Sequence, residues 1–253
     1  MMQMNNHQEL SPSSGQTPSE ADLEKYLHHL LEESEVLFPH EQAVILAAAA
    51  AALNEPFLLK ATLASGFTYT TTPRAFYEAL LQTYLFAGFP AALEGLSVLQ
   101  TVCSERSISF APPASASFDH QLFSHRGQEL CKQIYTTAYD KMHRNLHAIS
   151  PDLADWMVLE GYGKTLSRTE LPARIRELSV AAVLAVLGWN TQLYSHLRGA
   201  MNVGATPVEC MDTLKILSFF ADHASPLMRP ILQSRRATAQ ATLTKLLDQT
   251  SSI

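Results

Sequence analysis

The chain has 253 residues and a formal net charge of −6, and 47% of its residues are hydrophobic against 17% that are charged. Such a composition excludes a disordered chain, and the acidic balance argues against a broad nucleic-acid-binding surface. The cysteines Cys103, Cys131 and Cys210 lie far apart without any CxxC pair, which argues against a disulfide scaffold, a zinc knuckle and a dithiol redox centre.

The N-terminal segment is polar before the first predicted helix. Residues 1–16 are rich in Asn, Gln, Ser and Pro, and we interpret them as a disordered tail. Thr17-Pro18-Ser19-Glu20 has the form of a capping box, so a helix is expected to run from there to about Ser34. No apolar leader is visible, and the longest apolar run, 43–53, is too short to cross a membrane. We therefore predict a cytoplasmic protein without a membrane partner.

Most later segments are rich in Ala, Leu, Glu and Gln, which favours an all-α fold. One stretch, Ser107–Phe118, contains two prolines and many small residues, so it resembles a linker. We divide the chain into a first helical unit over 17–105, a linker or arm over 106–125, and a second helical unit over 126–253.

The two predicted units share ordered markers. Glu41 and Glu177 each precede an Asn by thirteen residues, and each is followed by an Ala-rich apolar stretch. Thr72-Pro73 corresponds to Thr206-Pro207, and each pair is followed by an acidic residue and then by a Phe-Ala pair. These markers predict two copies of one helical unit, although two unrelated Ala-rich helix pairs would also look alike.

The second unit contains the most specific pattern. It combines Tyr162–Arg168, Arg174–Leu178 and the string HLRGAMNVGAT, which starts at His196. This pattern resembles the carboxymuconolactone decarboxylase family, which includes the alkylhydroperoxidase D branch. The resemblance implies an all-α fold and homo-oligomers with six units in a ring, so two units per chain would form a homotrimer.

The resemblance also directs attention to an acid–histidine pair. The peroxidase branch has a Glu followed by two cysteines and a His, and here Glu177 and His196 match the Glu and the His. Trp189 and Gln192 occupy the cysteine positions, and neither side chain can replace a thiolate nucleophile. What remains suits proton transfer, with His196 as the acid/base group and Glu177 as its partner. A buried His held by a Glu for structural reasons is the alternative.

Further candidates surround this pair in the sequence. Arg168 and Arg198 could anchor a substrate carboxylate, while Tyr162, Trp189 and Gln192 could line the substrate pocket. Each of these residues could instead lie on a solvated helix face or in the core. In the first unit Lys60 takes the place of the His, so we interpret that unit as degenerate and structural.

We therefore predict a cofactor-free lyase or isomerase that acts on a small carboxylated lactone or a related compound, as the family's decarboxylases do. This reaction needs no metal or organic cofactor, because a conjugated carbonyl can accept the electrons left by departing CO2. One alternative is a non-catalytic scaffold or small-molecule binding protein of the same fold. Peroxidase activity is a further alternative, which the missing dithiol disfavours.

Overall fold

The computed structural model describes residues 19–34, 36–115 and 118–250. Helices dominate these ranges and no strand occurs in them, which confirms the all-α prediction. The predicted tail over 1–16 lies outside the described residues. The α-helices are α1 (Glu20–Glu32), α2 (Pro39–Ala52), α3 (Pro56–Thr68), α4 (Pro73–Gln82), α5 (Tyr84–Glu105), α6 (His120–Tyr135), α7 (Tyr139–Ile149), α8 (Pro151–Trp156), α9 (Ala173–Leu187), α10 (Asn190–Asn202), α11 (Pro207–His223) and α12 (Arg229–Thr250).

The first helix is present, but it starts differently from the prediction. Its N-cap residue is Ser19, whose side chain accepts a hydrogen bond from the backbone N–H of Asp22, and Asp22 completes the capping box. Thr17, which we expected to cap the helix, lies outside the described residues. Since Ser19 is followed three residues later by an acid, it satisfies the capping pattern as well as Thr17 does.

The centre of the fold is formed by α2 and α9, which pack against each other. Both helices are buried on nearly every side, from Glu41 to Ala51 in α2 and from Ile175 to Val186 in α9. Beyond the polar and charged residues in their N-terminal halves, both helices are Ala-rich and β-branched on every side, and a helix segment that is apolar all round belongs in a core. The apolar run at 43–53 is thus explained by burial inside the protein.

The other helices surround this central pair. Helices α3, α4 and α5 pack around α2, whereas α10, α11 and α12 pack around α9. Helix α6 contacts α10 and also a π-helical segment, Met157–Leu166, which continues from α8. Helix α6 begins at His120 with Asp119 as its cap, so the helix starts inside the range that we predicted as linker.

Two glycines allow α6 and the π-helical segment to touch backbone to backbone. A Cβ added at Gly127 would lie 2.0 Å from the Val158 carbonyl oxygen, and one at Gly163 would lie 1.9 Å from the Phe123 carbonyl oxygen. Any larger residue at either position would have to push the two segments apart. This contact fixes the segment that carries Tyr162.

Helix α5 is the one helix within the described ranges that is long and apolar enough to cross a membrane. Only 22% of its most apolar stretch is buried. It is not continuous, because Gly88 has φ 85° and ψ 165° and kinks the helix just before Pro90. The regular part after the kink is about 25 Å long at 1.5 Å per residue, which is shorter than the roughly 30 Å hydrocarbon core of a bilayer. The helix therefore presents a largely uncovered apolar face.

Candidate functional site

Helices α9 and α10 bring Glu177 and His196 together. Helix α9 ends at Leu187, Gly188 adopts the left-handed conformation at φ 80°, and α10 begins at Asn190. Glycine accepts this conformation without strain, so the chain can reverse in two residues. The two helices then pack side by side and place His196 opposite Glu177.

The contact between the two side chains is direct. His196 Nδ1 lies 2.8 Å from Glu177 Oε2, and both residues are buried. A carboxylate oxygen accepts hydrogen bonds, so Nδ1 donates this one and Nε2 is the ring nitrogen left for a ligand. The other carboxylate oxygen, Glu177 Oε1, is buried without a hydrogen-bond partner in the described structure.

The surroundings hold this pair in place. The Phe86 ring stands edge-on to the His196 ring, with centroids 5.4 Å apart and an interplanar angle of 90°. Next to the Glu177 carboxylate, a Cβ added at Gly199 would lie 2.8 Å from Glu177 Oε2 and 2.7 Å from Ile134 Cγ2. The carboxylate therefore occupies space that exists because residue 199 has no side chain, and the orientation of the imidazole follows from that.

His196 lies on the wall of a pocket of about 650 Å³. The size falls within the range of small-molecule sites. Most of the wall is apolar and comes from α5, α7, α8 and the π-helical segment. The apolar lining residues with the largest exposed fractions are Phe89, Ile149, Leu153 and Trp156.

A pair of tyrosines lines the same pocket. The hydroxyls of Tyr135, from α6, and Tyr162, from the π-helical segment, lie 2.7 Å apart. Burial, followed by the nearby negative charge that includes Glu177, raises the pKa of Tyr162 well above its usual value. Burial also raises the pKa of Tyr135, although its bond to Tyr162 acts in the opposite direction. Both hydroxyls therefore keep their protons at neutral pH.

The predicted site residues separate into two groups. His196, Tyr162 and Gln192 line the pocket, with Glu177 directly behind His196. Arg168 and Arg198, which we expected to anchor a carboxylate, are not among the lining residues. Trp189 is exposed to 57% and also lies outside the pocket lining.

Arg168 has another partner, which the sequence did not reveal. Its Nε and Nη2 atoms each lie 2.7 Å from an oxygen of Glu78, a residue of α4 that is fully buried. Arg176 donates to the same carboxylate over 3.0 Å. These bonds occupy the guanidinium of Arg168 inside the protein. The prediction missed this pairing because Glu78 is 90 residues from Arg168 along the chain.

The sequence reasoning also missed Tyr135 and Phe86 as members of the site. Phe86 was noticed only as a repeat marker, and Tyr135 stands next to no motif. Their positions depend on how α5 and α6 pack against α10, and a local pattern carries no signal of that packing.

The cysteines and metal-binding groups offer no rival centre. Cys103, Cys131 and Cys210 are unpaired and buried, and burial raises the pKa of each thiol, that of Cys210 to about 12. The described residues contain no group of three or more His, Cys, Asp or Glu side chains that could hold a metal ion. Thiols of this kind are poor nucleophiles near neutral pH.

Comparisons with known proteins show which proteins this chain resembles. Residues 151–227, from α8 into the segment after α11, match the carboxymuconolactone decarboxylase family. The chain is 30% identical over 141 residues to peroxisomal protein 2 of Schizosaccharomyces pombe, which covers 55% of this chain and 65% of the relative. It is 27% identical over 170 residues to peroxisomal protein 2 of Saccharomyces cerevisiae, with 56% and 59% covered. The chain thus spans less than two thirds of each relative.

Proposed function

Residues 151–227 form a carboxymuconolactone decarboxylase family domain that contains both Glu177 and His196, and from this premise we propose that the protein is a cofactor-free acid/base enzyme. It transfers a proton to or from a small molecule held in the pocket beside His196. The observation that carries the proposal is the 2.8 Å bond between His196 Nδ1 and Glu177 Oε2 at the wall of that pocket.

The division of labour follows from the geometry. Glu177 accepts the hydrogen bond from Nδ1, which fixes the orientation of the ring. Nε2 then exchanges a proton with the substrate at the pocket side. A positioned general acid or base contributes about 10²- to 10⁴-fold to rate. The pair suits isomerisation by proton transfer next to a carbonyl, or protonation of the carbanion that loss of CO2 would leave.

A non-catalytic binding protein is the second candidate. The observation that favours it is the set of exposed apolar side chains that line the pocket, since large exposed apolar patches mark interaction surfaces. The two candidates differ in one respect, because a binding protein has no need of a histidine that faces the pocket with an oriented ring. Thiol peroxidase activity receives no support from the three buried cysteines.

The location of the protein also enters as a proposal. We predicted the cytoplasm, but both curated relatives are named as peroxisomal proteins. We therefore propose that this chain resides in the peroxisome. Fluorescence microscopy of the tagged full chain beside a peroxisomal marker tests this, and a diffuse cytosolic signal would contradict it.

The test of function uses proton transfer itself as the readout. A thermal-shift panel of small lactones and unsaturated carbonyl compounds selects a ligand, and NMR then follows deuterium incorporation from D2O or product formation. We expect His196→Ala to lower kcat by about 10²- to 10⁴-fold. Glu177→Gln retains the size of the side chain but removes its charge, so we expect a smaller loss and an altered pH profile.

Lys60→Ala is the matched control in the first unit. Its ammonium group pairs with Glu105 over 3.0 Å, and it holds the position that corresponds to His196. We expect full turnover from this variant. Unchanged turnover in His196→Ala would overturn the proposal, while binding without any proton transfer in the unmodified protein would favour the non-catalytic candidate.

A further inference from the structure

The charge of the pocket beside His196 limits what it can hold. The described residues that line it include no arginine and no lysine. Lys164 lies close by, but its ammonium group is paired with the lining residue Glu160 over 3.0 Å. Glu177 lies buried directly behind His196. An anionic ligand would therefore lose its hydration without gaining a cationic partner, and this carries a large free-energy cost.

The apolar wall has the opposite preference. Leu85, Phe86, Met142, Leu146, Met157 and Leu166 form much of the lining. Each methylene group that a ligand buries against such a surface contributes about 0.8 kcal/mol. An uncharged molecule with a hydrocarbon portion is thus the class of ligand that this wall binds best.

The tyrosine pair adds one specific polar contact. Two phenol groups carry two O–H hydrogens, and the single bond between Tyr135 and Tyr162 uses one of them. The other hydrogen has no acceptor among the described residues. Tyr162 is 2% exposed, whereas Tyr135 is only partly buried. Because Tyr162 is the more buried of the two, we infer that its hydroxyl donates to the Tyr135 oxygen. The Tyr135 hydroxyl hydrogen then points into the pocket.

We propose that the substrate is an uncharged, largely apolar carbonyl compound whose carbonyl oxygen accepts a hydrogen bond from the Tyr135 hydroxyl, with Tyr162 as a positioning residue behind it. This inference rests on the proposed function, because it assigns the substrate class of the same pocket. It departs from the carboxylated substrate expected from the sequence. During proton transfer the Tyr135 hydroxyl stabilises the negative charge that develops on the carbonyl oxygen, and His196 exchanges the proton at the adjacent carbon.

A matched ligand pair tests the substrate class. The probe is δ-decanolactone, and its comparison is the ring-opened 5-hydroxydecanoate anion, which has the same carbon skeleton and a carboxylate. The chain has two tryptophans, and Trp156 lines the pocket whereas Trp189 does not. In the full chain carrying Trp189→Phe, fluorescence therefore reports ligand binding through Trp156 alone. At pH 8 we expect the lactone to bind at least about tenfold more tightly than the anion.

Two conservative variants test the hydrogen bond. Tyr135→Phe removes the donor and retains the ring, so we expect lactone binding to weaken about 3- to 10-fold, as for the loss of one hydrogen bond. Tyr162→Phe is the matched control, which retains the Tyr135 hydroxyl and should cause a smaller loss. The infrared carbonyl band of ¹³C-labelled bound lactone should move to higher frequency in Tyr135→Phe and much less in Tyr162→Phe. Circular dichroism verifies that both variants are folded.

The outcomes separate this inference from the proposed function. Equal or tighter binding of the anion, or no lactone binding up to its solubility, would overturn the inference. A carbonyl band that is unchanged in Tyr135→Phe would overturn it as well. Tight lactone binding that needs Tyr135, combined with proton transfer that does not depend on His196, would refute the catalytic proposal and leave the substrate class supported.

Discussion

Glu78 is a fully buried carboxylate that is surrounded by arginines. Arg168 binds it through two nitrogens, Arg176 donates to it over 3.0 Å, and Arg74 lies 3.1 Å from it. Burial alone would raise the pKa of Glu78, but the hydrogen bonds and positive charges of Arg168 and Arg176 outweigh burial and lower the pKa below its usual value. The ion pairs therefore stabilise the fold only while Glu78 is ionised.

The pH dependence of stability follows from this shift. The folded protein binds fewer protons at Glu78 than the unfolded chain does, so this contribution is complete above the ordinary pKa of 4.5 and is lost as pH falls through the lower folded value. Glu78→Gln should lower the free energy of unfolding at pH 7 by about 3–5 kcal/mol, because it leaves buried charges without a partner. It should also flatten the dependence of the free energy of unfolding on pH in the acid range.

Urea unfolding between pH 3 and pH 7 measures both effects. Glu94→Gln is the matched control, since Glu94 is an exposed glutamate on α5. We expect the free energy of unfolding of Glu94→Gln to vary with pH in parallel with that of the unmodified protein. If the Glu78→Gln curve also ran parallel to the unmodified protein, the account of the buried network would be refuted.

At the scale of single residues, the sequence predicted the site only where the contact is local. Glu177 and His196 are nineteen residues apart and one short turn separates their helices, and the resemblance to the carboxymuconolactone decarboxylase family points to the two residues as a pair. Arg168 could not be assigned in this way. Its partner Glu78 lies in another helix 90 residues earlier, and only tertiary packing decides whether a guanidinium meets a substrate or a buried carboxylate.

At the scale of helices and turns, the π-helical segment depends on its close contact with α6. Gly163→Ala would place a Cβ against the Phe123 carbonyl oxygen, and neither backbone can move away cheaply. We expect the free energy of unfolding to fall by at least about 2 kcal/mol, in the range of overpacked cores. Because Tyr162 is the preceding residue, ligand binding in the pocket should weaken as well.

The same segment provides the control. An added Cβ at Gly161 meets no atom within 4 Å, so Gly161→Ala should change stability by less than about 0.5 kcal/mol. Thermal and urea unfolding compare the two variants. Equal stability of Gly161→Ala and Gly163→Ala would show that the close contact does not constrain the segment.

Two helix starts carry a clear local signal in the sequence. Thr72 and Thr206 cap α4 and α11 through their side chains, and each precedes a proline at the first helical position. A capping residue followed by proline is a local signal and needs no tertiary information. The kink at Gly88 and the π-helical segment carry no such signal, and both shape the pocket.

At the scale of the whole molecule, the correspondence between these caps supports the proposal of two tandem units. Helices α2 and α9 occupy equivalent central positions, and Glu41 and Glu177 both lie in the N-terminal half of their helix. The family match covers only part of the second unit, at 151–227. The first unit therefore remains a proposal that rests on shared markers and shared helix order.

We further propose that the chain assembles as a homotrimer. Helix α5 exposes Phe89 and Leu93, and α7 and α8 expose Ile149, Leu153 and Trp156, which together form a large uncovered apolar surface. Light scattering should give a mass of three chains. Leu93→Glu should shift the assembly toward single chains, because Leu93 is 62% exposed within this surface and a carboxylate there would be buried.

Gln240→Glu provides the control for added charge. Gln240 is exposed on α12, outside the apolar surface, so the same charge there should leave the mass unchanged. A stable monomer of the unmodified protein at micromolar concentration would contradict the proposed assembly.

The buried arginine network also has a consequence for how the protein is made. Glu78 emerges from the ribosome long before two of its arginine partners, since Arg168 and Arg176 follow it by 90 and 98 residues. At roughly 5–20 residues per second, the carboxylate waits on the order of 5–20 s for both cations. During that time the N-terminal half offers Glu78 only the Arg74 guanidinium, so burial of the ionised carboxylate without Arg168 and Arg176 carries a cost in free energy. The N-terminal half therefore reaches its final packing only after α9 has been synthesised.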